Sequence, residues 1–252
     1  MRQTFAILRW SAVAAGLSSP EHWLEWASAP FLPQGLEIDA ALPDFPAMSR
    51  RRLALLGKMA VSVADQALAP LSDEERDLPV VWASRYGDAQ RSLDLLREQA
   101  QADPLSPTSF ALSVHNAIGA QHSIARRMTG NALCVAAAQA TVEAGLIECL
   151  GLLAEGAPRV LLVCYDAPLP EDYAQFQDEA ACAYAWAWLL GPAAADGAQR
   201  VMALQQLTVS AAPAPGAPAA GRLPHGLDVL HWALAPGQGG CSRDGRWRHA
   251  HV

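Results

Sequence analysis

Several things are scarce in this chain of 252 residues. Charged side chains make up only 17% of it, and Lys58 is the single lysine among 18 basic residues. That arginine bias reads as composition rather than function. The net charge is −7, which excludes a nucleic-acid scaffold, because phosphate binding needs a basic face. The five cysteines are odd in number and form no CxxC pair. They read as reduced thiols, not a disulfide framework or a zinc ribbon. There is no GxGxxG after a strand, no phosphate loop, no HExxH and no GxSxG. No segment is long and apolar enough to cross a membrane. The nearest, "ACAYAWAWLLG", is too short. The N-terminal "MRQTFAILRWSAVAAGLSS" is broken by Arg9 and Trp10 and reads as a first strand rather than a leader, so a cytoplasmic protein is expected.

What is abundant is apolar: 52% of the residues are hydrophobic, enough for one domain with a sizeable core. Strand and helix patterns alternate. "FAILRWSAVAAG" reads as a strand and "SPEHWLEWASAP" as a short helix with a Ser cap and an early Pro. Residues 31–46 form a proline-rich loop. "SRRRLALLGKMAVSVADQAL" has three-and-four spacing over Leu53, Leu56, Met59, Ala60, Val63, Ala64 and Ala67, and predicts one amphipathic helix. "LPVVWAS", "ALCVAAA" and "APRVLLVCYD" are strands, separated by helices over "GDAQRSLDLLREQA", most of 106–130, and "ATVEAGLIECLGLLAEG". "EAACAYAWAWLLGP" and "QRVMALQQLTVS" predict two further strands paired as a hairpin. The expected class is α/β with a largely parallel sheet covered on both faces. The expected organisation is a domain over 1–210, a Pro/Ala/Gly linker over 211–224, and a short tail over 225–252.

The chemistry-bearing residues are scattered. His249 and His251 could hold a metal, but alternation in a terminal strand is the blander reading, and no metal or cofactor is expected. His225 and His231 fall in no motif. Cys149 and Cys164 lie on apolar faces as core residues. Cys134 belongs to a strand, where a buried thiol is inert. Asp166 ends a strand, a common place for a turn residue. Arg50, Arg51 and Arg52 read as a solvated helix start.

One stretch is more specific. In "LCVAAAQATVEAG", an apolar strand leads into a helix with Gln139 at the turn. Over residues 106–166, "SPTSFALSVHNAIGAQHSIARRMTGN…LCVAAAQATVEAGLIECLGLLAEGAPRVLLVCYD" resembles the N-terminal half of β-ketoacyl synthases. There a "PSTxxN…AGxxxI" helix leads to a strand that ends in a nucleophilic cysteine opening a buried helix. Asn116 takes the place of the helix asparagine, and the register runs ungapped to Gln139 at the cysteine's place. The strand 159–166 follows in register, and "ASRYGD" at 83–88 fits the preceding strand end. The resemblance covers roughly residues 1–210.

The resemblance implies a thiolase-like layered α/β domain, the N-terminal half of a ketosynthase with the C-terminal half largely missing. A cysteine at a helix N-terminus becomes a thiolate. Glutamine has no ionisable form, so no acyl thioester forms and no catalytic residue is expected. Gln in an "AxQA" context is similar to the chain length factor, the non-acylating partner of a ketosynthase in polyketide and aryl-polyene assembly. The implied partner is an active β-ketoacyl synthase in a heterodimer, with acyl carrier protein engaged through the complex. The implied interface and tunnel candidates are Ala132, Leu133, Cys134, Val135, Gln139 and Asn116. The missing half implies an uncovered apolar face, to which Trp23, Trp26, Trp82, Trp186, Trp188, Trp232 and Trp247 could contribute, with some of them in the core. Two alternatives stay open: a glutamine-type ketosynthase that decarboxylates a malonyl carrier thioester, and an unrelated α/β binding module.

Overall fold

The computed structural model describes residues 2–207 and 223–252. β1 (Arg2–Ala14) leads into α1 (Pro20–Ser28), whose start is fixed by the Ser19 hydroxyl accepting from the His22 amide at 3.3 Å. The single helix expected over 49–68 is two: α2 (Ala47–Arg52) and α3 (Leu55–Leu68). Leu53 and Ala54 are extended between them, which lets Leu53 turn into the core while Arg51 and Arg52 stay solvated. There follow α4 (Asp73–Arg76), β2 (Val80–Ala83), α5 (Ala89–Ala100), α6 (Pro107–Ser113), α7 (Ala117–Arg126), β3 (Ala132–Val135), α8 (Thr141–Ala154) and β4 (Val160–Asp166). The chain closes with β5 (Tyr184–Pro192), β6 (Arg200–Gln206), α9 (His225–Leu234), β7 (Gly240–Cys241) and β8 (Trp247–His251).

The strands make one sheet in the order β3-β2-β4-β5-β1-β6-β8-β7. Only β3 with β2 and β2 with β4 are parallel; the other five neighbours are antiparallel. The expectation of a largely parallel sheet is therefore corrected. The reason lies in the connections. Parallel neighbours need a helical crossover, which α5–α7 and α8 supply, whereas 167–183 holds only a 3-10 turn. The expected β5–β6 hairpin is also corrected, because β1 lies between the two strands and pairs with both.

Side-chain alternation then sorts the layers. In β4, Leu161, Val163 and Tyr165 face one core, and Val160, Leu162 and Cys164 face the other. β5 sends Ala185, Ala187 and Leu189 to the α3 side, where α3 brings Ala60, Ala64 and Ala67, so small residues on both partners let helix and sheet approach closely. Its opposite face carries Tyr184, Trp186, Trp188 and Leu190 under α8, α9 and α1. Burying an indole removes about 200 Å² from water, an upper-bound gain of about 5 kcal/mol at 25 cal/mol per Å². That exceeds any single polar contact nearby. Trp186 also donates to the Gly226 carbonyl at 2.9 Å. A Cβ at Gly226 would lie 2.3 Å from the Tyr184 hydroxyl, so glycine lets α9 settle on β5.

Two more expectations change here. Trp23, Trp26, Trp82, Trp186 and Trp188 are all core residues, and Trp232 and Trp247 are partly buried against that core. They make no exposed aromatic face, because each indole finds cover within the chain. Residues 225–252 are not an appended tail. Leu227, Val229, Leu230, Ala233 and Leu234 of α9 join the core, and β8 extends the sheet by pairing with β6. The apolar face of α9 requires that burial. The linker expected over 211–224 lies outside the described residues except for Leu223 and Pro224. No helix among the described residues is long and apolar enough to cross a membrane.

Candidate functional site: the turn from β3 into α8

β3 ends in a tight turn that delivers the chain to α8. Ala138 takes the left-handed conformation, φ 49°, which is strained for a side-chain-bearing residue. Thr141 holds the turn. Its hydroxyl accepts from the Ala137 amide at 3.0 Å and donates to the Ala138 carbonyl at 2.8 Å. Gln139 sits on the 3-10 turn that precedes α8. Gly145, two turns on, is where α8 crosses the sheet; a Cβ there would press on Leu162 and Ala83 at 3.0 and 3.1 Å.

Gln139 is tied by its carboxamide. Its Nε2 donates to Asp178 Oδ2 at 2.9 Å. Arg85 clamps the same carboxylate through Nη1 at 2.6 Å and Nη2 at 2.8 Å, and reaches Glu179 at 3.2 Å. Burial would raise the Asp178 carboxyl, but the bonds from Arg85 and Gln139 outweigh it and hold the group below its ordinary range. The loop after β2 wraps the end of β4: the Ser84 hydroxyl and the Arg85 and Tyr86 amides donate to Asp166 Oδ1 at 2.9, 3.0 and 3.3 Å. Burial nonetheless pushes the Asp166 carboxyl up to about 7. A turn residue by sequence, Asp166 is the anchor of this loop.

Gln139, Arg85, Asp166, Glu179, Tyr184 and His225 border a cleft of about 20 Å³, room for a single water. The nearest thiol is Cys164, whose pKa burial drives well above the ordinary value, so it is inert. A larger groove, about 780 Å³, lies elsewhere, between residues 41–44, α3 and α7. Arg126 in it is already paired with Asp65.

The other named candidates fall along one edge. Ala132 is exposed and Leu133, Cys134 and Val135 are half-buried in β3, which has a neighbour on one side only among the described residues. Asn116 is exposed at the start of α7. α7 packs on β3 and α6 on α7. These two helices and the residue after α6 expose Phe110, Val114 and Ile124, 63%, 45% and 70% accessible.

Sequence reasoning missed one constellation. Glu143 lies one turn beyond Gln139, fully buried in α8. Its Oε1 lies 2.7 Å from the Nε2 atoms of both His225 and His249. His251 does not join them and instead meets the Trp232 carbonyl at 2.8 Å. The available signal was the lone acidic residue on the buried face of an otherwise apolar helix start.

A mixed sheet between two helical layers, with a strained strand-to-helix turn at its parallel edge, defines a thiolase-like α/β domain. The profile of the β-ketoacyl synthase N-terminal domain matches residues 23–250, and the chain belongs to that family. Among solved structures, a ketosynthase (ApeO) in complex with its chain length factor (ApeC) from Xenorhabdus doucetiae is similar at 26% identity and a TM-score of 0.80. The match covers 98% of this chain and 99% of that one. The ishigamide ketosynthase/chain length factor is similar in fold at 17% identity and a TM-score of 0.58, over 77% of this chain and 63% of that one. A β-ketoacyl synthase from Burkholderia phymatum STM815 shares the fold at 14% identity and a TM-score of 0.62, over 82% and 65%. No curated protein sequence matches the chain.

Proposed function

We propose that this chain is a non-acylating, chain-length-factor-like subunit. It pairs with an active β-ketoacyl synthase and closes one side of the acyl tunnel. Gln139 carries the reading: it stands at the strand-to-helix turn where the family presents its cysteine, and its amide is committed to Asp178. The 20 Å³ cleft beside it has no room for a thioester, and the neighbouring Cys164 is held protonated by burial. The partner supplies the nucleophile and the two histidines, and acyl carrier protein meets the complex rather than this chain alone. Tunnel depth then limits product length sterically, since a longer chain must displace packed side chains. The likeness to a ketosynthase–chain length factor complex over nearly the whole of both chains supports the pairing, and the role we assign is a cytoplasmic one in polyketide, aryl-polyene or fatty-acid-like assembly.

The decarboxylase reading gains a histidine, because His225 borders the same cleft as Gln139. Its Nε2 is taken by Glu143, so the ring offers no free Nε2–H for an oxyanion at Gln139. The architectural reading stands first.

The test is intact-mass spectrometry of the co-purified pair after incubation with acyl carrier thioesters. An acyl adduct is expected on the ketosynthase and none on this chain. A stable adduct on any of its five cysteines would sink the proposal.

A further inference from the structure

We propose that Glu143, His225 and His249 form a binding site for one divalent transition metal of the zinc class. Three separate elements, α8, the start of α9, and β8, bring the residues together. One ligand atom from each of the three lies within 4.8 Å of the other two, and each side chain is buried. Trp232 flanks both imidazoles, with ring centroids 5.9 Å from His225 and 5.4 Å from His249. The Glu179 carboxylate accepts from the His225 amide at 3.0 Å. The rings are therefore oriented before any ligand arrives.

A second observation points the same way. Both imidazoles aim at one carboxylate oxygen, and Glu143 Oε2, equally buried, has no hydrogen-bond partner among the described residues. His225 Nδ1 has no partner among the described residues either. A hydrogen-bonded triad thus leaves polar atoms bare in the core, which native interiors avoid. A cation among the three groups gives the bare oxygen a role as a second carboxylate donor.

The donor set decides the class. Two imidazoles and a carboxylate suit zinc and its transition-metal neighbours. Calcium and magnesium prefer oxygen cages. Tetrahedral bonds of about 2.0–2.1 Å set ligand atoms about 3.3 Å apart, so the present 2.7 Å separations open by about 0.6 Å. The fourth position falls to Glu143 Oε2 or to a water from the cleft that His225 borders. On binding, each Nε2 gives up its proton; a neutral ring keeps one at Nδ1, and any imidazolium proton leaves to solvent. The metal ties α9 and β8 to α8, the helix that begins at Gln139.

The experiment uses the untagged full chain, stripped with chelator and exchanged into clean buffer. Zn²⁺ is titrated against a chromophoric chelator, and Co²⁺ is added in parallel to read visible ligand-field bands. One equivalent is expected to bind, with four-coordinate cobalt bands, and Zn²⁺ should raise the melting temperature by several degrees. Glu143→Gln and His249→Gln should each weaken binding by about 100-fold or more, since outer-shell partners alone cost 10–100-fold. His251→Gln should leave it unchanged. Folded wild type that binds neither ion stoichiometrically overturns the site, whether or not the variants fold. Binding that survives Glu143→Gln and His249→Gln overturns it equally.

Discussion

The two edges of the sheet are built differently. At one end stands β3, four residues of small and apolar side chains in a parallel pair, with its outer side open among the described residues. At the other end β7 is two residues long and antiparallel. The turn after it carries Arg243, Asp244 and Arg246. A short, charged edge is one that does not recruit another strand. The β3 edge, four residues against two, carries no charged side chain in its strand, and exposed Phe110, Val114 and Ile124 flank it. Protection is spent on one edge and withheld from the other, and the unprotected edge is the one that leads into Gln139.

The largest effect expected from this difference is loss of pairing. Leu133 is half-buried in β3 and packs against the main core. Leu133→Asp places a charge there, costs about 2–3 kcal/mol of stability and should abolish the heterodimer with the ketosynthase in light scattering. Cys241→Asp, exposed on the opposite edge, should change stability by less than about 0.5 kcal/mol and leave the dimer intact. Equal loss from both substitutions would end the distinction between the edges.

Half-buried charge gathers near β3. The β3 side gathers Arg85, Asp166, Asp178 and Glu179. The Asp166 carboxyl, raised by burial to about 7, lies above its ordinary 3.8. The folded state therefore keeps a proton that the unfolded chain gives up between about pH 4 and 7. This contribution to stability is full below that range and is lost as pH rises through it. Each tenfold change in proton affinity corresponds to about 1.4 kcal/mol. Urea unfolding at pH 5 and pH 7.5 should show wild type losing roughly 2–3 kcal/mol relative to Asp166→Asn. A parallel pH dependence in both proteins would show that the carboxyl is not held protonated.

Thiol chemistry compares the edges directly. Burial pushes Cys134 on β3 up to about 11 from 9.0, about 100-fold less thiolate at pH 8 than an ordinary thiol. Cys241 is exposed on β7. Iodoacetamide with peptide mapping should label the exposed Cys241 much faster than Cys134. Adding the ketosynthase should slow Cys134 further and leave Cys241 unchanged. Slowing at Cys241 would place the partner at the wrong edge.

The sequence carried the helices and the two-faced strands because their signals are local. Ser19 before Pro20 marks a cap, and "RVLLVCYD" is apolar at every residue that meets a core. The strand order was illegible because it depends on which connections hold a helix. "AWAWLL" and "RVMALQ" look like hairpin arms, yet β1, far away in sequence, takes the place between them. At the site, Gln139 was visible through register with a known family. Its bond to Asp178 spans 39 residues, and the Glu143 contacts span 82 and 106. No local pattern encodes such distances, so His225 and His249 read as isolated histidines.

The smallest and sharpest test concerns backbone alone. The Val80 and Ser84 amides donate to the Asn131 and Val135 carbonyls at 2.8 and 3.2 Å. In a parallel ladder alternate residues turn to alternate sides. Residues 131, 133 and 135 therefore serve β2, and Ala132 and Cys134 present their amides to the open side. Ala132→Pro deletes one outward donor and nothing that β2 uses. Proline is tolerated at the first residue of a strand, and the Ala132 side chain is exposed, so the fold should keep its melting temperature within a few degrees. If the partner pairs strand to strand along β3, one lost hydrogen bond of about 1–1.5 kcal/mol should weaken the heterodimer by about tenfold, read as dissociation constant by titration calorimetry. Ala132→Gly keeps the amide and should restore most of the affinity. If proline binds as tightly as wild type, the partner contacts side chains from α6 and α7 and the open edge is not paired.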